Sequence, residues 1–157
     1  MKTESEILNI LAQYCSLTER CLADVRKKLQ SENLSAETEK RIIDRLLHDK
    51  FIDENRFARS FVHDKFRFNR WGRIKIDYEL RLKGIPQEVY CEAIDTIDDD
   101  AYTTTLSELL INKKRTTKGR SSQELFQKLY RFAASRGFES HLIISTLKKM
   151  LKNIDDD

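Results

Sequence analysis

The stretch RIKIDYELRLKGI, residues 73–85, decides how this chain is read. Ile74, Ile76, Tyr78, Leu80 and Leu82 alternate with Lys75, Asp77, Glu79, Arg81 and Lys83, the two-residue period of a half-buried strand. Its surroundings have a different rhythm. Upstream, Phe57, Ala58, Phe61, Val62 and Phe66 recur at helical spacing. The segment is therefore either a lone strand in a helical chain or a helix with apolar residues on more than one face.

An internal repeat separates the two readings. VRKKLQSENL, IDYELRLKGI and LYRFAASRGF share one local grammar: a helical apolar pattern, an Asn or Gly, one apolar residue, then a new helix. The pivots Asn33, Gly84 and Gly137 lie 51 and 53 residues apart. Asn and Gly tolerate the left-handed backbone that closes a helix, and the next residue (Leu34, Ile85 or Phe138) can fold back on the last turn. Restart signals follow: Ser35 as an N-cap, Pro86 in a first turn and Ser140 as a further cap. Thr3 with Glu6 and Ser121 with Glu124 have capping-box spacing. Asp53 and Asp100 are expected to begin two more helices.

On this repeat Ile76 and Leu80 match Val25 and Leu29, and Leu129 and Ala133. Residues 73–83 are therefore expected to be helical, with Ile76 and Leu80 facing the core. Ile74, Tyr78 and Leu82 then form a second apolar stripe. The matching positions in the other repeats are Ala23, Lys27 and Ser31, and Gln127, Arg131 and Ser135. Repeat logic expects that stripe to pack against a flanking unit, the alternative being a groove for a partner. The resulting fold class is all-α: an elongated, curved array of three tandem three-helix, helix-turn-helix-like repeats at 1–52, 53–98 and 99–157, the last with an acidic tail.

Composition agrees with few turns and many helices. The 157 residues include one proline and four glycines, too few for the turns of an all-β fold. The net charge of +3 hides an uneven distribution. Residues 1–50 carry nine basic and nine acidic side chains, residues 56–83 nine and three, and residues 113–136 eight and one. Two basic segments are the footprint of a polyanion or an acidic protein partner, although charged faces also simply keep helices soluble. Three cysteines without CxxC spacing suit a reducing compartment. With no signal peptide and no apolar run of membrane length, a cytoplasmic chain is expected.

No catalytic pattern emerges: no GxSxG, Walker A or GxGxxG motif is present. HDKF occurs twice, at 48–51 and 63–66, but flanking charges suit exposed helix positions better than a metal site. Neither enzymatic activity nor a cofactor or metal is expected. The chemistry that remains is binding. KFRFNRWGRIK interleaves Lys65, Arg67, Arg70, Arg73 and Lys75 with Phe66, Phe68 and Trp71, a mixture able to neutralise phosphates and stack on bases. Phe66 continues the helical series and belongs to the core. Trp71 is open to either role, core filler or stacking platform. NKKRTTKGR, 112–120, reads as an exposed, mobile loop carrying Lys113, Lys114, Arg115, Lys118 and Arg120.

These motifs resemble the RecX family, bacterial regulators of the RecA recombinase, over roughly residues 5–152. ERCLADVRKKL is similar to that family's first-unit helix through Asp24-Val25 and Lys28-Leu29. FIDENRFARSFVHDK resembles its most recognisable segment through Arg56-Phe57-Ala58 and Phe61-Val62. WGRIKIDYELRLKGI follows its next pattern through Gly72, Ile76, Glu79-Leu80 and Lys83-Gly84-Ile85. The third unit matches loosely, through LYRFAASRGF. The resemblance implies a non-enzymatic protein that binds RecA filaments on single-stranded DNA and restrains filament growth, strand exchange and ATP hydrolysis. A monomer is expected, without membrane contact, meeting single-stranded DNA directly or through RecA. The competing reading is a helix-turn-helix DNA-binding protein acting without RecA.

Overall fold

Residues 73–82 are helical in the computed structural model, which describes residues 1–152. Ile76 and Leu80 are fully buried, while Ile74, Tyr78 and Leu82 are each more than half exposed. The expected packing of that second stripe against a neighbouring unit is therefore corrected. Residues two apart on a helix lie about 200° apart around its axis. A short helix with one stripe in the core thus turns the other to solvent.

In chain order the helices are α1 (Glu4–Leu17), α2 (Leu22–Leu29), α3 (Ala36–His48), α4 (Glu54–Arg67), α5 (Arg73–Leu82), α6 (Gln87–Asp95), α7 (Asp99–Thr116), α8 (Ser122–Ser135) and α9 (Ser140–Met150). A 3₁₀ turn, Gln30–Glu32, follows α2. There is no strand among the described residues. The acidic tail, 155–157, lies outside the described residues.

The three pivots all have left-handed backbone: φ is 50° at Asn33, 77° at Gly84 and 95° at Gly137. At Gly84 the Ile85 N–H donates to the Leu80 carbonyl and the Gly84 N–H to that of Arg81. Phe138 and Gly137 repeat the pattern onto Ala133 and Ala134. These are the paired bonds of a Schellman cap. Asn33 instead follows the 3₁₀ turn. Lys50 and Arg70, at φ 61° and 55°, also take this conformation, which their residue types do not announce.

Thr3, Ser35, Asp53 and Ser121 each accept a backbone N–H three residues on, as their spacing predicts. Two starts are shifted. Asp98, not Asp100, caps α7 by accepting from the Ala101 N–H. Ser140 is the first residue of α9, with Glu139 in the cap position. An N-cap needs extended backbone, which Asp98 and Glu139 have.

The chain forms two compact units. Unit 1 comprises Met1–Phe61 with Leu80–Ala93. Its core includes Ile7, Leu11, Cys15, Val25, Leu29, Ile42, Ile43, Leu46 and Ile52. Glu54 opens α4 and accepts the Leu22 N–H at the start of α2 through one oxygen. Its other oxygen is buried without a partner, and burial pushes its carboxyl above the usual range.

Unit 2 comprises Val62–Glu79 with the residues from Ile94 onward. Helices α7, α8 and α9 pack pairwise over Leu106, Leu110, Leu129, Ala133, Ile143 and Leu147, all fully buried. Tyr102 is also fully buried, its ring against Phe66 and Phe138 with centroids 5.9 and 5.1 Å apart. Each of these buried leucines and isoleucines contributes about 1.5–3 kcal/mol by leaving water. The segment before α5 is tied to the third pivot: the Gly72 N–H donates to the Arg136 carbonyl (2.7 Å) and the Ile74 N–H to that of Gly137 (3.0 Å). A Cβ on Gly72 would sit 2.3 Å from the Gly137 carbonyl carbon. Only glycine permits this approach.

Candidate polyanion-binding face

All thirteen basic and aromatic residues singled out in the segments 65–75 and 112–120 fall in unit 2. The fold puts them to different uses. Arg73 is built into the structure. Its backbone N–H donates to the Tyr102 hydroxyl (3.0 Å). Its guanidinium pairs with Asp99 (2.7 Å) and Glu139 (3.1 Å) and lies 3.9 Å from the Tyr102 ring centre. The Tyr102 hydroxyl in turn donates to Glu139. Burial is the largest influence and works against the Arg73 charge, but the bonds and charges of Glu139, Tyr102 and Asp99 together outweigh it and hold the group's affinity for its proton above the ordinary value. Burial, then the bond to Glu139, pushes the Tyr102 hydroxyl strongly upward, so it stays protonated as a donor.

Arg70 sits at the left-handed residue after α4 and reaches Glu108 of α7 at 3.6 Å. Glu108 and Arg115 are seven positions apart on α7 and share one helix face. Arg70 thereby stands beside the face that carries Arg115. Arg67 ends α4, exposed, with its guanidinium 5.9 Å from the exposed Phe68 ring.

Trp71 is half-buried and carries two cations. The Lys65 and Lys75 ammonium nitrogens lie 4.9 and 4.6 Å from its ring centre, within the range of cation–π attraction. Each such contact contributes roughly 0.5–1 kcal/mol at a partly exposed site. That is enough to bias a lysine's rotamers without neutralising its charge.

The segment 112–120 is not a loop throughout. α7 continues to Thr116, so Lys113, Lys114 and Arg115 occupy its last turn, and only Lys118 and Arg120 lie in the connection to α8. Cations at a helix C-terminus meet the negative end of its dipole, which extends the helix beyond its last core residue, Leu110. The Thr116 and Thr117 hydroxyls also donate to the Lys113 carbonyl. All five cations are exposed. The Lys118 carbonyl accepts from the Lys128 ammonium at 2.7 Å.

Two residues of this face carry no sequence signature. Phe132 on α8 holds the Lys113 ammonium at 5.0 Å and the Arg136 guanidinium at 5.1 Å from its ring centre. Arg136 read only as the residue before a pivot. The clue to its role was the pivot itself, which brings its backbone against Gly72. Among the described residues, Lys75, Lys113 and Arg136 have no carboxylate within ion-pair distance. The described residues also hold no cluster of three side chains suited to a metal; His48 and His63 are exposed beside Asp49 and Asp64. No helix among them is long and apolar enough to cross a membrane.

Comparison with known proteins places the chain in a family. The model of the second three-helix domain of RecX matches residues 53–94, and that of the third matches residues 100–147. The Regulatory protein RecX of Prosthecochloris aestuarii is 31% identical over 146 residues, covering 93% of this chain and 94% of that protein. The chain belongs to the RecX family. The RecX of Clostridium tetani is 34% identical over 136 residues, covering 85% of this chain but 61% of its own length, so the present chain spans a little under two thirds of that relative. A crystal structure of RecX from Lactobacillus salivarius covers 93% of this chain and 95% of its own at a TM-score of 0.81 and 20% identity. Another RecX crystal structure also reaches 0.81, at 21% identity. These likenesses show the fold. On the RecX domain matches, Lys65–Lys75 belong to the second domain, and Lys113–Arg120, Phe132 and Arg136 to the third.

Proposed function

We propose that this chain is a non-enzymatic, cytoplasmic regulator that binds the RecA recombinase on single-stranded DNA and restrains its recombinase and ATPase activities. The observation that carries the reading is the excess of basic over acidic side chains gathered in one unit of a RecX-family chain. Lys65, Arg67, Arg70, Lys75, Lys113, Lys114, Arg115, Lys118 and Arg120 supply the contact, with Trp71 orienting two of them. Arg73 supports that surface from below. The chain is read as three three-helix units, 1–52, 53–98 and 99–157, a division supported by the recurrence of the left-handed pivots, and it acts as a monomer.

ATP hydrolysis by RecA on single-stranded DNA, with and without the protein, tests this. Hydrolysis is expected to fall as the protein is added. Charge-removing substitutions at Arg70, Lys75 and Arg115, with helicity confirmed by circular dichroism, are expected to relieve the inhibition. Unchanged hydrolysis, together with tight and sequence-selective duplex binding, would overturn the reading in favour of a free-standing DNA-binding protein.

A further inference from the structure

We propose that unit 2 carries a two-station phosphate track, Lys65 and Lys75 over Trp71 and Lys113 and Arg136 over Phe132, which takes the backbone of single-stranded nucleic acid without stacking on its bases. The inference rests on the reading above and names the chemistry of that same face. At each station one aromatic ring holds two cations within 5.1 Å of its centre. Lys113 and Arg136 are therefore within about 10 Å of each other, close to one Debye length, and act on a ligand as a joint field. The stations are joined through the backbone. Arg136 accepts the N–H of Gly72, the residue after Trp71, and the Cβ of Lys75 packs against Gly137 so closely that no side chain fits there.

The rings orient the cations and do not compete for bases. Both Trp71 and Phe132 are partly buried, and the cations occupy ring surface that a base would need. At Lys75, Lys113 and Arg136, which meet no carboxylate among the described residues, the ring leaves the cation charged and available, whereas a carboxylate partner would cancel the charge. Binding through such groups is independent of sequence and steeply dependent on salt.

Trp71 is the single tryptophan of the chain, so its fluorescence reports on the first station. The test titrates the full chain, without RecA, with oligo(dT) and with an abasic deoxyribose-phosphate oligomer of the same length. Both are expected to change Trp71 emission, with affinities within about threefold of each other, because stacking contributes little. Affinity is expected to fall with salt at a log–log slope of about −3, four contacts at about 0.7 each. The double variant K113Q/R136Q should roughly halve that slope. Arg136 holds Gly72 through its main-chain carbonyl, so this variant leaves the structural bond in place. A more than tenfold preference for oligo(dT) would overturn the proposal, because the bases would then be read. So would an unchanged slope in a double variant of native helicity. Failure to bind either oligomer would also overturn it, assigning the face to protein carboxylates. If both oligomers bind but RecA hydrolysis is unaffected, the filament reading fails and the track stands.

Discussion

Unit 1 and unit 2 are both packed helical units, but they treat charge in opposite ways. Unit 1 has thirteen basic and thirteen acidic side chains; the described part of unit 2 has sixteen and ten. In unit 1 several cations are matched with carboxylates: Lys2 with Glu32, Arg41 with Glu4, Lys40 with Asp44, Arg45 with Asp49, Arg56 with Glu19 and Lys83 with Asp24. In unit 2 the two arginines nearest the core and α7, Arg73 and Arg70, have acidic partners, while Lys75, Lys113 and Arg136 rest on aromatic rings. A carboxylate fixes a cation and cancels it. An aromatic ring fixes it and leaves the charge for a ligand. What marks a binding face here is thus an excess of positive charge together with partners that leave it available.

The strongest way to break the comparison is to separate the fold of unit 2 from its charge. Gly72→Ala forces a Cβ onto the Gly137 backbone and is expected to cost about 3 kcal/mol or more, since backbone cannot yield as a side chain can. Urea denaturation measures it, and a loss under 1 kcal/mol would mean that the close approach is not needed. Arg73→Ala comes next. It strands Glu139 beside the buried Tyr102 and is expected to cost about 2 kcal/mol, less than a fully buried pair because Arg73 retains some exposure. An Arg73 variant that loses filament inhibition at full stability would instead place Arg73 among the contact residues.

In unit 1 the corresponding probe is Glu54→Gln, which removes a carboxylate that burial disfavours. The folded protein holds the Glu54 proton more tightly than the unfolded chain does. Its contribution is therefore fully present below the ordinary glutamate range and is lost as pH rises through the raised folded value. The variant is expected to gain up to about 1 kcal/mol at neutral pH, solvent screening included, and no advantage at acid pH. Thermal unfolding at both pH values checks the sign; a loss at neutral pH would mean that the charge is needed.

The smallest expected effect sharpens the comparison most. Tyr14 in unit 1 also carries two cations, with the Arg20 guanidinium 3.8 Å and the Lys28 ammonium 4.5 Å from its ring centre. Since unit 1 has no net charge to attract a polyanion, Lys28→Ala is expected to change oligonucleotide affinity by less than about twofold. A loss equal to that of K113Q/R136Q would extend the track into unit 1.

Much of the fold was legible because the signals are local. Helical spacing, four of the caps and the left-handed pivots depend on residues within a turn or two, and Asn33, Gly84 and Gly137 could be read without a neighbour. The reading failed where one apolar or basic pattern permits two outcomes. Ile74, Tyr78 and Leu82 were expected to be covered and are exposed, because periodicity locates a face without saying what lies opposite it. Residues 113–116 looked like a loop for want of apolar residues, yet α7 runs through them on its dipole and its last-turn cations.

The sequence alone determined that this is a helical chain of repeated units with its excess positive charge in two segments. Helix periods, caps and charge are properties of neighbouring residues. Only the tertiary structure decided which cations are spent within the fold and which stay available. Arg73 and Arg136 look alike in the sequence. One is drawn to Glu139 and Asp99, and the other to Phe132. That assignment depends on groups brought together from distant parts of the chain, where a shared charge says nothing of the partner it will meet.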